Sequence, residues 1–170
     1  AEASHQRQGC RLKQGGGGDL PYWDRNLVDY AQVLQASRAS YITALQPYFE
    51  AQLAGLTGQP QEQVSLTLQA GWSQQRSLQE CLARDLPRDL AGGFTQSGPH
   101  RADLHFAWQG RNARDLLSRG QSKLWSLAFR LAQLAYLRAS CGKVVVVLLD
   151  DFGAELDPQV REASALIAWL

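Results

Sequence analysis

Six consecutive apolar residues, Val144–Leu149, run straight into two carboxylates, Asp150 and Asp151. A strand without polar alternation is buried on both faces, as in the middle of an α/β sheet. Ligands of such sheets bind at the carboxyl ends of the strands, where these acids would stand. The run therefore predicts a central strand that presents acids at a ligand-binding edge, and an α/β fold class. A strand ending in a plain polar turn fits the same residues.

A second segment constrains the chemistry further. In Leu116-Leu-Ser118-Arg119-Gly120-Gln121-Ser122-Lys123, Ser118 is placed to cap the following helix and Gln121 to complete a capping box. Gly120 lacks a Cβ, so an anion can approach the backbone. Free N–H groups and the positive end of the helix dipole then make an anion site. An ordinary capped helix is the alternative. A helix over Leu124–Leu137 is expected, joining a strand around Leu104, Phe106 and Trp108 to Val144–Leu149. A final helix should start near Pro158, and a helix between two strands implies a right-handed crossover with parallel strands.

The amino-terminal part reads differently. From Tyr22 onward, Leu27, Tyr30, Ala31, Leu34, Tyr41, Ile42, Leu45, Phe49 and Leu53 recur at helical spacing. Pro47 is expected to kink or break that helix near Gln46. The aromatic side chains of the stripe suit core packing. Val64, Leu66 and Leu68 alternate with polar residues as a half-buried strand. Ser77 and Glu80 form a capping-box pattern opening a short helix that Pro87 should end or bend. The reading gives a helical arm lobe with a short strand over 1–95, and a strand-helix-strand-helix part over 96–170.

Charge is uneven although the net is only +1. Residues 101–143 carry eight basic side chains against Asp103 and Asp115, and Asp150, Asp151, Glu155 and Asp157 follow. That order suits a phosphate and a metal ion, and equally a solvated face followed by a polar turn. Cys10, Cys81 and Cys141 are too widely spaced for a disulfide framework or a zinc site, which fits a reducing cytoplasm. No signal peptide is visible, and no apolar run reaches the roughly 18–20 residues of a membrane span. The absence of methionine and the apolar stop at Leu170 read as cut ends.

Other motifs carry less. Gly15–Gly18 is followed by Asp19 and Leu20, not the Lys and Ser/Thr of a P-loop, so it reads as a linker. Gly142-Lys143 has Leu137 where the first loop glycine belongs and Val144 where Ser or Thr belongs. No serine, threonine or cysteine has a visible base partner for nucleophilic catalysis. His105 sits on a strand, without a catalytic task. His100 and Arg101 either face a phosphate or serve structure by pairing with Asp103.

Thirty residues separate Gly120 from Asp150. This order and spacing resemble the signature motif and Walker B of ABC-type ATPases, and Ala154-Glu155-Leu156-Asp157 resembles their D-loop. Within that class, several stretches resemble the RecF family: Thr95-Gln-Ser-Gly98-Pro99-His100-Arg101-Ala-Asp103-Leu104, the Ser-Arg-Gly-Gln signature, Asp150–Asp157, Leu20-Pro-Tyr-Trp23-Asp24 and Gly71-Trp72. Transporters fit poorly, lacking the Gly-Pro-His-Arg stretch and carrying glutamate where Asp151 stands. Long-coil chromosome proteins have a longer arm.

The resemblance implies the carboxyl-terminal half of an ABC-type head, with the Walker A loop upstream. It implies ATP and Mg2+ as cofactors, with Asp150 holding the metal and Asp151 polarising the attacking water. Ser118, Arg119, Gly120 and Gln121 would contact the γ-phosphate of a nucleotide held by a second molecule, with His100, Arg101 and Lys123 as further phosphate contacts. Glu155, Leu156 and Asp157 would be the D-loop. It further implies an ATP-dependent homodimer clamping DNA at single-strand gaps. RecR and RecO would be partners, with roles in loading the RecA recombinase, replication restart and the SOS response. Aspartate at 151 is shorter than glutamate by one methylene, which implies slow hydrolysis, and this stretch alone should not turn ATP over. A non-catalytic interaction module, or the end of another coiled-coil repair ATPase, are the competing readings.

Overall fold

The computed structural model describes residues 20–58 and 62–142. Val144–Leu149, the acids after it and the helix expected from Pro158 lie outside them. The described elements run α1 (Leu20–Thr57), β1 (Val64–Gln69), α2 (Leu78–Gly92), β2 (Asp103–Trp108), β3 (Arg111–Asn112) and α3 (Arg119–Cys141). Short 3-10 turns occupy Pro99–Arg101 and Ala113–Asp115. Among the described residues the strands form one sheet in the order β1-β2-β3.

The described residues pack as two units, each drawn from two stretches: 20–41 with 67–105, and 42–66 with 106–142.

In the first unit, Leu27 and Ala31 of α1 pack on Leu78 and Leu82 of α2, with Val28 and Trp72 against them. Tyr30, counted above in the apolar stripe, is instead 55% exposed. Ser77 caps α2 as its sequence predicts: its Oγ accepts from the Glu80 N–H, and its own N–H donates to the Glu80 carboxylate at 2.8 Å. Pro87 does not end this helix, which continues to a left-handed Gly93. Asp85 and Asp89, one on each side of Pro87, are both buried and both bond to the loop that follows. Those anchors hold the helix across the residue that lacks an N–H.

In the second unit, Phe49 of α1 is fully buried among Phe106 of β2 and Trp125 and Phe129 of α3. The rings meet edge to face, with centroids 5.5–6.1 Å apart, an arrangement worth roughly 0.5–1.5 kcal/mol per pair beyond burial. Tyr48 meets Tyr136 in the same way. Phe49 is thus core, as expected, while Tyr48 is half-buried.

Pro47 lies inside an uninterrupted α1, so of the kink or break expected near Gln46 the break does not occur. Leu45, Phe49 and Leu53, at successive i+4 positions around it, are each fully buried. Burying a large apolar side chain contributes about 1.5–3 kcal/mol, and three of them outweigh the ~3 kcal/mol cost of an interior proline. Gln46 adds a further anchor. Its Nε2 donates to the Val64 carbonyl and its Oε1 accepts the Leu66 N–H, both at 2.8 Å. These two backbone groups lie on one edge of β1, while on the other edge the Gln63 carbonyl accepts the Gln109 N–H. One side-chain amide therefore occupies the edge as a neighbouring strand would.

β2 and β3 form an antiparallel hairpin closed by the Trp108–Arg111 pair. Gln109 and Gly110 both have positive φ, the two-residue turn that matches strand twist. α3 ends at a left-handed Gly142 whose N–H bonds the Arg138 carbonyl at 2.9 Å. That glycine closes a helix, whereas a P-loop glycine opens one.

Candidate phosphate-contacting site

Ser118 stands just before α3 in extended conformation, so its side chain folds over the helix start. Its Oγ accepts the Gln121 N–H at 3.3 Å, and its own N–H donates to Gln121 Oε1 at 2.8 Å. Ser122 N–H and Oγ both donate to the Ser118 carbonyl, at 2.8 and 2.9 Å.

This box sorts donors from acceptors. The acceptor oxygens of Ser118 and Gln121 turn inward to backbone N–H groups. The Ser118 hydroxyl proton and the Gln121 Nε2 protons are donors the box does not consume. The capping box satisfies two of the orphan donors of the helix start and leaves the N–H groups of Arg119 and Gly120. Ser118, Arg119, Gly120, Gln121 and Lys123 are all exposed. The result is a donor-rich surface at the positive end of a 23-residue helix dipole, with a guanidinium and an ammonium beside it. A cluster of phosphate oxygens is the ligand chemistry it suits.

His100 and Arg101 belong to the first unit and serve structure there, though not by the expected pairing with Asp103. His100 Nε2 lies 2.9 Å from the Thr95 carbonyl, and Arg101 Nε donates to the Gln96 carbonyl at 3.3 Å. His105 is the side chain that lies near Asp103, at 4.0 Å. The loop they brace is held from every side. Arg38 of α1 donates to the Pro99 carbonyl at 2.8 Å, Ser97 Oγ to Asp85 at 2.7 Å, and the Gln96 N–H to Asp89 at 3.1 Å. The Gly98 N–H bonds the Gly71 carbonyl at 3.0 Å. Gly71 has φ +86°, and a Cβ there would stand 2.3 Å from the Gly98 carbonyl oxygen.

Four carboxylates of this unit are shifted from their ordinary values, the first being Glu80, held low by its bonds to Ser77. The Arg84 guanidinium and then Ser97 hold Asp85 low. Burial, then the Asp85 charge, pushes Asp89 up against the opposing Gln96 N–H bond. Burial and then Asp89 push Asp24 up. Sequence reading missed Arg38, Asp85, Asp89 and Ser97, because their partners lie up to 61 residues away and no local pattern announces them.

Asp150, Asp151, Glu155, Leu156 and Asp157 lie outside the described residues. Among the described residues no group of three or more His, Cys, Asp or Glu side chains is placed to hold a metal ion. Among them, too, no helix is long and apolar enough to cross a membrane.

No protein-family model matches the chain. Curated relatives do. It is 43% identical over 141 residues to a DNA replication and repair protein RecF of Pseudomonas paraeruginosa, covering 83% of this chain and 38% of that protein. With RecF of Actinobacillus pleuropneumoniae the identity is 39% over 147 residues, covering 86% and 40%. In fold it matches a solved structure of the recombination mediator protein RecF with ATP, in the RecFOR pathway. The TM-score is 0.78 at 24% identity, over 99% of this chain and 48% of that one. The chain thus spans about two fifths of the length of these curated relatives. Such matches define the class of the fold: part of an ABC-type ATPase head with a mainly helical arm. Within that class, the chain belongs to the RecF family.

Proposed function

We propose that this chain supplies, in trans, the signature half of an ATP site in a RecF-type DNA repair protein. The observation that carries the reading is the donor-rich start of α3. Ser118, Arg119, Gly120 and Gln121 offer hydroxyl, backbone and amide donors with the acceptors turned away. This surface stands at the positive end of the α3 dipole. It is complementary to the γ-phosphate of a nucleotide cradled by a second molecule, and Lys123, one turn along, adds charge. ATP then joins two heads, and the dimer closes on DNA at single-strand gaps. The names of the relatives support the DNA repair setting, and the RecFOR pathway of the solved relative supports RecR and RecO as partners. Loading of RecA, replication restart and the SOS response follow as downstream roles in the cytoplasm.

Asp150 and Asp151 are hard oxygen donors of the kind magnesium takes. Asp150 would hold the ion, and Asp151 would accept hydrogen bonds from the attacking water. Magnesium, when bound, supplies charge neutralisation at the phosphates. The 170 residues contain no Gly-x-x-x-x-Gly-Lys-Ser/Thr loop, so we propose that this stretch alone does not turn over ATP. His100 and Arg101 act through the loop they brace, rather than on phosphate.

The test is Ser118→Arg in the full-length RecF-type protein. Arginine removes the cap and fills the space above the Arg119 and Gly120 N–H groups. ATP binding by the monomer should persist, while sedimentation shows no ATP-dependent dimer. Loss of monomer binding, or an unchanged dimer, refutes the in-trans role.

A further inference from the structure

Ser122 follows the four residues proposed to face the nucleotide, and its hydroxyl is spent on one of them. Its Oγ and its N–H both donate to the Ser118 carbonyl, at 2.9 and 2.8 Å. The N–H bond is the ordinary first rung of α3, and the hydroxyl bond is an addition to it. Folding does not ask for that addition. Ser122 is exposed, alanine forms helix better than serine, and a serine bonded four residues back slightly weakens its helix. What the hydroxyl does fix is the direction of one peptide group. The Ser118 carbonyl and the Arg119 N–H are the two ends of a single planar trans unit and point opposite ways. Two donors on the oxygen therefore set where the Arg119 N–H points. That N–H is one of the two that the capping box leaves open.

We infer that Ser122 is a positioning residue for the phosphate-facing start of α3. Its Oγ aims the Arg119 N–H through the Ser118–Arg119 peptide plane and touches no phosphate itself. A donor held in place beforehand binds a charge without reorganising as it docks. The same kind of bond recurs further along α3, from Ser126 to the Ser122 carbonyl and from Ser140 to the Tyr136 carbonyl, at 2.9 and 2.7 Å. There the opposite ends of the peptide units are the Lys123 and Leu137 N–H groups, which lie inside the helix and are spent on its own ladder. Of the serines within α3, Ser122 alone steers a donor that faces outward. The inference rests on the in-trans reading and adds to it a residue outside the four that make contact.

The experiment uses the full-length RecF-type protein, with ATP affinity of the monomer, ATP-dependent sedimentation and thermal unfolding measured for each variant. Ser122→Ala should raise the Kd of the ATP-dependent dimer by about three- to tenfold. That is part of the worth of a bond to a charged group, since the Ser122 N–H still holds the carbonyl. The variant monomer should bind ATP as the wild type does and should melt no lower, because alanine suits the helix. Ser122→Thr keeps a hydroxyl that can reach the same carbonyl and should restore the dimer. Ser126→Ala removes the same kind of bond one turn on and should leave the dimer unchanged. A wild-type dimer in Ser122→Ala, failure of Ser122→Thr to restore it, or an equal loss in Ser126→Ala each overturns the positioning role while the in-trans contact stands. So does weaker ATP binding or a lower Tm in the Ser122→Ala monomer. If the wild type forms no ATP-dependent dimer, or Ser118→Arg forms it unchanged, both fall.

Discussion

Replacing Gln46 with leucine removes two hydrogen bonds to β1, together with an exposed third to Glu50 at 2.6 Å, and leaves the packing around them nearly intact. The amide donates to the Val64 carbonyl and accepts the Leu66 N–H, both at 2.8 Å and both on the outer edge of β1. A neutral hydrogen bond contributes a net ~0.5–1.5 kcal/mol, and more when its partner is left dry. The edge is half-buried, so water recovers part of the loss, and the variant should be about 2 kcal/mol less stable. For a chain of this length that is a fall in Tm of about 4–8 °C. The more specific readout is hydrogen exchange. The Leu66 amide should lose protection, while the Gln109 amide, bonded to the Gln63 carbonyl on the other edge of β1, should keep it. Equal protection of Leu66 in both proteins would falsify the claim that a side chain stands in for a strand there.

Two further outcomes follow from the first unit. Gly71→Ala should destabilise by about 4 kcal/mol or more, because its Cβ meets backbone atoms at 2.3–2.7 Å on a left-handed φ; a urea midpoint near wild type would refute this. Asp24→Asn should stabilise the fold near neutral pH. The folded carboxyl titrates above its ordinary 3.8, so the native state binds the proton more tightly than the unfolded state. Stability contributed by that group therefore declines as pH rises from the ordinary value through the raised one. The variant's advantage should vanish at lower pH, and urea titrations showing the opposite trend would refute the assignment.

The elements that local pattern specifies were legible in the sequence. The helical spacing from Leu27 to Leu53, the Val64–Leu68 alternation and both capping boxes predict their elements, because each signal lies within a few residues of its cause. Neither Pro47 nor Pro87 ends its helix, since a proline's local cost is set against burial that only the fold supplies: Leu45, Phe49 and Leu53 on one helix, Asp85 and Asp89 on the other. The hairpin at Gln109-Gly110 carries a weak signal, a glycine in a two-residue turn, that the strand pattern before it overshadowed. The bracing of residues 95–102 had no signal at all, because Arg38 and Gly71 reach it from distant parts of the chain. Of the candidate site, the Ser118–Gln121 box was fully readable. The acids from Asp150 to Asp157 remain a sequence proposal.

The chain opens two helices with the same device, and the difference between them separates folding from recognition. α2 uses Ser77 with Glu80; α3 uses Ser118 with Gln121. For closing a helix start, glutamate and glutamine are interchangeable, since either offers the oxygen that the serine N–H needs. Glutamate even suits the dipole better, and the carboxyl of Glu80 is held low by its bond to Ser77. At 121 a carboxylate would fold α3 equally well, yet it would replace two amide donors with negative charge where phosphate is to dock. The amide at that position is a choice to which folding is indifferent and anion binding is not. Under the proposed in-trans role, drift toward glutamate there would leave a stable protein that no longer recognises its partner's nucleotide.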